Sequence, residues 1–196
     1  MSRRKDFAIA LGVGLLLTGC VSYEGNESSP YYRVPVGSQL TLHREIEIPP
    51  DQVGVFIQDG KLLPSSAGMR NYYPHCKFEI NTRRDVTRTV APDQFEITRT
   101  VQEENTHAVG LDTLQFARVS ISVGVGIGMR VGDITDNGVS ITTYATRMYL
   151  RSTAQPEARV LSCGQWGYPP DLEHVTIQEI RRALGDIFTL TLPPKG

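Results

Sequence analysis

The 196-residue sequence has no apolar run long enough to cross a bilayer as a helix. The apolar run from Phe7 to Leu17 covers only 11 residues, whereas a spanning helix needs about 20. Three basic residues occupy positions 3–5, directly before this run. A short apolar segment behind a basic start is typical of a cleavable signal peptide, so we predict that residues 1–19 are removed.

The sequence also has no excess of one charge. It contains 20 lysine and arginine residues against 21 aspartate and glutamate residues, and removal of residues 1–19 leaves 17 basic and 20 acidic ones. A weakly negative chain disfavours nucleic acid and anionic membrane surfaces as partners. The rest of the chain is long enough for one domain with an ordinary core, which we place at residues 34–196.

Motifs of catalysis and metal binding are missing as well. The four histidines are far apart and show no His-X-X-X-His spacing, so we predict no metal site. There is no Gly-X-Ser-X-Gly elbow for a hydrolase nucleophile and no Gly-Lys-Ser/Thr for a P-loop. Acidic pairs such as Glu103 and Glu104 are explained by solvated strand edges. The sequence therefore predicts no catalytic residue and no cofactor, and it favours a protein that is not an enzyme.

The signal-like segment ends in Leu17-Thr18-Gly19-Cys20, which resembles the lipobox of bacterial lipoproteins. The resemblance implies that Cys20 becomes the first residue of the mature chain, with a diacylglyceryl group on its sulfur and an acyl chain, such as palmitate, on its amino terminus. It also implies an outer-membrane address, because Val21 stands where an aspartate would retain the protein in the inner membrane. We therefore expect a lipid-anchored protein on the periplasmic side of the outer membrane.

Cysteine is scarce, with three positions in the whole chain. Once Cys20 is assigned to lipid, Cys76 and Cys163 remain as a pair in an oxidising compartment, where a structural disulfide is the default. A metal site is a weaker alternative because His75 is the only close ligand in the sequence, and a catalytic thiol would need a companion base that no motif supplies. We predict a disulfide between Cys76 and Cys163.

Beyond residue 34 the sequence alternates apolar and polar residues between turn-forming residues, which indicates strands. An Asp59-Gly60 dipeptide within this region predicts a hairpin turn. Seven or eight such strands indicate a mainly β fold, an antiparallel sandwich or a small barrel. Residues 20–33 are polar and lack the alternation, so we predict a lipidated amino terminus followed by a flexible tether. The strand patterns include residues 75–83, 93–102, 115–131, 139–151 and 157–166.

One short helix is predicted near the carboxyl end, at Ile177–Leu184. Thr176 and Glu179 have the spacing of a capping box. Ile180 shares an apolar face with the first and last residues of the segment, and Gly185 follows as a helix-ending residue. These signals agree with one another, and Asp171, after two prolines, is an alternative start one turn earlier.

Glycine recurs at every second position from Gly124 to Gly128. This spacing does not match a dinucleotide-binding loop, and it fits a strand with one apolar face. A turn at Asn137-Gly138 would pair residues 124–131 with residues 144–151. A minor alternative is that several subunits each donate this hairpin to an oligomeric membrane β-barrel. In the predicted hairpin, the residues on the apolar face are Tyr144, Thr146, Met148 and Leu150, and those lying across the glycines are Arg147, Tyr149 and Arg151.

Aromatic residues flank both cysteines of the predicted disulfide, so the disulfide would bring them together. They either pack around it or form a platform for a sugar ring or a peptide. We favour a non-catalytic binding, assembly or structural role with an envelope protein or a cell-wall component as partner. The alternative is a cell-wall glycan-binding module or hydrolase, which two carboxylates beside the aromatics would support. The aromatic residues are Tyr72, Tyr73, Trp166 and Tyr168.

Overall fold

The computed structural model describes residues 25–109, 139–168 and 173–194. This part of the chain is mainly β, as predicted, with one short helix near the carboxyl end. Eight strands form a curled antiparallel sheet in the shape of a half-barrel, and two short strands form a second sheet. The strands are β1 Gln39–Leu42, β2 Ile46–Ile48, β3 Gly54–Gln58, β4 Lys61–Leu63, β5 His75–Ile80, β6 Arg88–Val90, β7 Asp93–Val109, β8 Val139–Arg151, β9 Ala158–Gly167 and β10 Phe188–Thr191.

The main sheet has the strand order β10-β1-β7-β8-β9-β5-β3-β4, and β2 pairs with β6 in the small sheet. The predicted Asp59-Gly60 turn is confirmed: Gln58 pairs with Lys61, so β3 and β4 form a tight hairpin. Asp59 has a φ of 48° and Gly60 a φ of 70°. Positive φ at both central residues is what a type I′ turn requires, and an Asp-Gly pair supplies it at low cost.

The predicted pairing of residues 124–131 with residues 144–151 is wrong. The strand β8 pairs with β7 on one edge and with β9 on the other, so the backbone of Tyr144 meets Glu104 on one side and Gln165 on the other. A strand has two hydrogen-bonding edges, and both are occupied here. The glycine stretch itself, the Asn137-Gly138 turn and the alternative membrane hairpin lie outside the described residues.

The predicted faces of β8 are nevertheless confirmed. Tyr144, Thr146, Met148 and Leu150 are buried, and the residues between them are more exposed. Alternate residues of a strand point to opposite faces, and we call the buried face the inner face. On the outer face the large side chains of β8 meet partners from β7 in place of glycines. These pairs are Arg147 with Glu103 at 3.2 Å, Arg151 with Glu96 at 2.6 Å, and Tyr149 with the Arg99 guanidinium 4.0 Å from its ring centre.

The helix α1 spans Ile177–Leu184, the predicted range, and lies against β3, β5 and β10. The Thr176 hydroxyl accepts from the Glu179 N–H, and the Glu179 carboxylate accepts from the Thr176 N–H at 2.8 Å, so the capping box is present. The apolar face of α1 is buried against the inner face of the half-barrel. The Gly60 N–H donates to the Ala183 carbonyl at 3.0 Å, which fastens the β3–β4 turn to the helix. The helix therefore covers the open side of the half-barrel.

Cys76 and Cys163 are joined by a disulfide between neighbouring strands β5 and β9. The two residues are directly paired in the sheet, with Cα atoms 4.0 Å apart. Both cysteines are buried on the inner face, next to the core residues Phe78 and Leu161. The predicted pairing is thus present in the structure, while Cys20 lies outside the described residues.

Ordered contacts begin earlier in the chain than the predicted boundary at residue 34. Residues 26–33 run across the domain and bond to the helix and to β7. We call these residues the N-terminal strap. The part of the predicted tether, residues 20–33, that forms the strap is therefore held against the domain.

Candidate functional site

Three of the four predicted platform residues form an exposed cluster, which we call the aromatic surface: Tyr72, Trp166 and Tyr168. The rings of Tyr72 and Tyr168 stack with centres 5.8 Å apart, and the ring of Trp166 meets Tyr72 edge-on at 6.3 Å. The hydroxyl oxygens of Tyr72 and Tyr168 are 3.2 Å apart. This hydrogen bond is the main cause that raises the pKa of Tyr72, with burial and the charge of Tyr168 adding to it.

The aromatic surface is open to solvent. Tyr72 is 45% exposed and Tyr168 is 46% exposed. Trp166 lies on the outer face of β9, because it is an odd number of residues from Cys163, which is buried on the inner face. The rings therefore form a surface on the outside of the sheet and do not pack over the disulfide.

A buried glutamine holds the loop that carries Tyr72. The Gln58 side chain donates to the Arg70 carbonyl and accepts from the Arg70 N–H, each at 3.0 Å. The Trp166 N–H donates to the Asn71 carbonyl at 2.8 Å, which ties the same loop to β9. Because these bonds fix the backbone directly before Tyr72, its ring is held in place without being covered.

Tyr73, the fourth predicted residue, faces a different partner. The guanidinium of Arg70 lies 4.6 Å from the centre of its ring and also pairs with Asp59. The Tyr73 carbonyl lies 2.9 Å from Nδ1 of His75. Burial lowers the pKa of His75, and this hydrogen bond opposes the shift. Tyr73 thus extends the exposed aromatic area towards a charged pair.

A polar cavity of about 570 Å³ lies beneath the N-terminal strap, on the inner face of the sheet. Its walls include Glu104 on β7, Tyr144 on β8 and His174 just before the helix. The His174 ring meets the Tyr144 ring edge-on at 5.6 Å, and its Nε2 is 3.3 Å from a Glu104 oxygen. The cavity therefore joins an acid, an imidazole and a phenol from three elements that are distant in sequence.

The pKa of His174 is lowered. Burial is the largest cause, and the positive charge of Arg33 acts in the same direction. The Glu104 carboxylate raises the pKa through its charge and its hydrogen bond, without reversing the shift. A neutral imidazole donating from Nε2 to Glu104 is therefore the form that the site favours at neutral pH.

The cavity and the aromatic surface lie on opposite faces of β9. Gln165 points to the inner face, where its side chain donates to the Glu173 carbonyl at 3.3 Å, and the next residue, Trp166, points to the outer face. Glu104 and Glu173, the carboxylates that line the cavity, therefore do not stand beside the exposed rings. These two carboxylates therefore do not form a glycan-hydrolase site with the aromatic surface.

No three acidic, histidine or cysteine side chains of the described residues come together as a metal site. No described helix combines the length and the apolarity that a membrane span needs. Arg33, Gln102 and the other contacts of the strap were missed by sequence reasoning, since a polar segment without periodicity gives no sign of what it binds.

The chain was compared with known protein families, with curated proteins and with solved structures, and no match was found in any of them.

Proposed function

We propose that this protein is a lipid-anchored component of the bacterial outer membrane with a non-catalytic binding role, and that the aromatic surface contacts its partner. The observation that carries the binding role is the exposure of Tyr72 and Tyr168 in a preformed stack with Trp166. The lipobox-like sequence ending in Cys20 supports the location.

Exposed aromatic rings suit a binding role for two physical reasons. Tyrosine and tryptophan offer a large apolar area with a polar tip, and they are enriched among the residues that dominate binding energy. The loop that carries Tyr72 is already fixed by the Gln58 side chain and the Trp166 N–H, so little conformational entropy is lost when a partner binds. The preferred partner is an envelope protein with a complementary apolar patch.

The lipid anchor is tested by mass spectrometry of the amino-terminal peptide from protein purified out of cell membranes. We expect the peptide to begin at Cys20 and to carry the mass of a diacylglyceryl group and an acyl chain. A Cys20→Ser variant should lose the anchor and leave the membrane fraction. An unmodified amino terminus with the first 19 residues still attached would contradict the lipid anchor.

The binding surface is tested with a photo-crosslinking amino acid introduced at Tyr72 in intact cells. The matched control places the same amino acid at Val86, which is 56% exposed and lies outside the aromatic surface. A discrete adduct formed from position 72 and absent from position 86 supports the proposal. Equal or absent adducts from both positions would contradict it.

Binding of cell-wall glycan is the second candidate, favoured by the stacked pair of Tyr72 and Tyr168. The near-parallel rings, inclined by 19°, present a flat apolar surface of the kind on which a sugar ring can lie. Co-sedimentation with purified peptidoglycan tests this function. Retention that is lost in Tyr72→Ala would favour the glycan as partner, and release of soluble fragments would indicate a hydrolase.

A further inference from the structure

The strap is fastened to the domain close to its first described residues. The Glu27 carboxylate forms an ion pair with the Arg181 guanidinium on α1, and the Gln178 N–H of the same helix donates to the Glu27 carbonyl at 3.4 Å. Arg181 also donates to the Leu190 carbonyl on β10 at 3.1 Å. One residue of the strap is thereby tied to the helix and, through Arg181, to the edge strand of the half-barrel.

Further contacts hold the rest of the strap. The Tyr31 hydroxyl donates to the Glu173 carboxylate at 2.8 Å. The Arg33 guanidinium donates to the Gln102 side chain at 2.8 Å, and that side chain donates to the Pro30 carbonyl at 3.4 Å. A single exposed ion pair would contribute little. Several contacts spread along eight residues, followed by the buried Val34, make the strap part of the folded domain.

We infer that the N-terminal strap holds the domain close to the lipid bilayer, with the side formed by α1 and the edge of β10 nearest the membrane. This inference rests on the proposed lipidation of Cys20. The chain from Cys20 to Glu27 can span at most about 25 Å when fully extended, whereas a free tether from Cys20 to residue 34 could span about 50 Å. The strap therefore halves the reach of the anchor.

The attachment also selects one side of the domain. A groove between the strap and β10 is lined by Gly25, Glu27, Arg181 and residues 189–193. Because β10 is an edge strand of the main sheet, this groove follows the open edge of the half-barrel. The described chain begins at Gly25 in the wall of this groove, only five residues after Cys20, so α1 and the edge of β10 are the membrane-proximal side.

Energy transfer between the protein and lipid headgroups tests the inference. The full-length protein is purified from membranes, its lipid on Cys20 is verified by mass, and a fluorophore is placed at Gln178→Cys, an exposed position on α1. The protein is reconstituted in vesicles of phosphatidylethanolamine and phosphatidylglycerol that contain an acceptor dye on the headgroups. A second protein carries a flexible insert of about 20 Gly and Ser residues between Glu24 and Gly25, with a root-mean-square span of about 25 Å.

A third protein tests the strap itself through the changes Glu27→Gln, Tyr31→Phe and Arg33→Gln. Its matched control removes an exposed ion pair elsewhere, Arg83 with Asp51, through Arg83→Gln. Circular dichroism verifies that every variant is folded.

We expect strong energy transfer in the native protein and in the Arg83→Gln control. Transfer should fall in the insert variant and in the strap variant, because both lengthen the mean path from lipid to domain. Equal transfer in all four proteins, with the lipid present, would overturn the inference and leave the proposed function intact. Absence of the lipid on Cys20 would overturn both.

Discussion

At the end of β9, the inner face of the sheet carries polar groups that are covered, whereas the outer face carries aromatic rings that are exposed. On the inner face, the Gln165 side chain donates to the Glu173 carbonyl, and Nε2 of His174, beneath the N-terminal strap, lies 3.3 Å from Glu104. On the outer face, Tyr72, Trp166 and Tyr168 are held by backbone bonds and stay open to solvent. The strap thus covers a polar region, whereas nothing in the described chain covers the aromatic one.

This difference separates groups that stabilise the domain from groups that are available to a partner. Buried polar groups need partners, and on the inner face Gln165 and His174 find them in Glu173 and Glu104. Exposed rings that are fixed in place add little to folding, but they add apolar area to an interface. Changes to the inner face and to the strands should therefore lower stability, while changes to the aromatic surface should affect binding alone.

Removal of the disulfide should have the largest effect on stability, because it joins the strands β5 and β9 that support the aromatic surface. We expect the double variant Cys76→Ala, Cys163→Ala to lose about 2–5 kcal/mol in free energy of unfolding. Urea unfolding with and without a reducing agent measures this loss. Reduction should destabilise the native protein and leave the double variant unchanged, and a native protein that is insensitive to reduction would contradict the prediction.

A methyl group at Gly164 should disturb the contact between β8 and β9. A Cβ atom added there would lie 2.2 Å from the Tyr144 carbonyl oxygen, which is backbone and has no simple way to move aside. We expect Gly164→Ala to cost about 1–3 kcal/mol, as for other overpacked sites. Thermal and urea unfolding measure the loss. Ser162→Ala on the same strand is the control and should not lower stability, because the Ser162 hydroxyl is buried without a hydrogen-bond partner among the described residues.

Loss of the helix cap, which lies close to the cavity, should lower the free energy of unfolding. Thr176→Ala removes the side chain that accepts from the Glu179 N–H, and we expect a loss of about 1 kcal/mol. Thr176→Ser keeps the hydroxyl and serves as the control. Urea unfolding of the two variants gives the difference, and equal stability of both would show that the cap contributes nothing.

Each of the two regions contains one histidine whose pKa is lowered by burial, His75 near the aromatic surface and His174 at the cavity. The unfolded chain then binds protons more readily than the folded one, so stability is full above the unfolded pKa of about 6.5 and falls as the pH drops below it. Glu104 and Arg33 face His174 and act on its pKa in opposite directions.

We expect the free energy of unfolding to decrease between pH 7.5 and pH 5.5, and His75→Gln and His174→Gln each to reduce that dependence. The control variant is Val86→Ala at an exposed position, which changes no titratable group and should keep the native pH profile. Urea unfolding at a series of pH values measures the effect. A native stability that rises on acidification would contradict the prediction.

The smallest effect on stability should come from the aromatic surface. Because Tyr72 is half-exposed, we expect Tyr72→Ala to change the free energy of unfolding by less than about 0.5 kcal/mol. The same variant should lose binding to the partner identified by crosslinking. A large loss of stability would show instead that these rings serve the fold.

Predictions from the sequence succeeded where the signal was local. The capping box at Thr176, the Asp59-Gly60 turn and the two faces of β8 depend on neighbouring residues or on a period of two, and all three are present in the structure. The disulfide was predicted from the compartment implied by the lipobox resemblance, together with the count of cysteines. Three of the four aromatic residues came together because the disulfide aligns β5 with β9.

Predictions failed where the signal was long-range. The alternation of β8 identified its buried face correctly but did not identify its neighbours, because an apolar face is compatible with many partner strands. The strap was predicted to be free, since its polar composition does not show that Tyr31 bonds to a residue 142 positions away.

The sequence by itself determined the class of fold, the limits of the helix, the buried side of β8 and the pair of cysteines that are joined. The first three follow from backbone preferences and from the alternation of apolar side chains, and the cysteine pair follows from the number of cysteines and the compartment that the lipobox resemblance implies. Only the tertiary structure decided which strands pair with β8, where the strap binds and which rings stay exposed. Each of those depends on contacts between segments that are far apart in the chain. Local sequence preferences do not specify which distant segments come together.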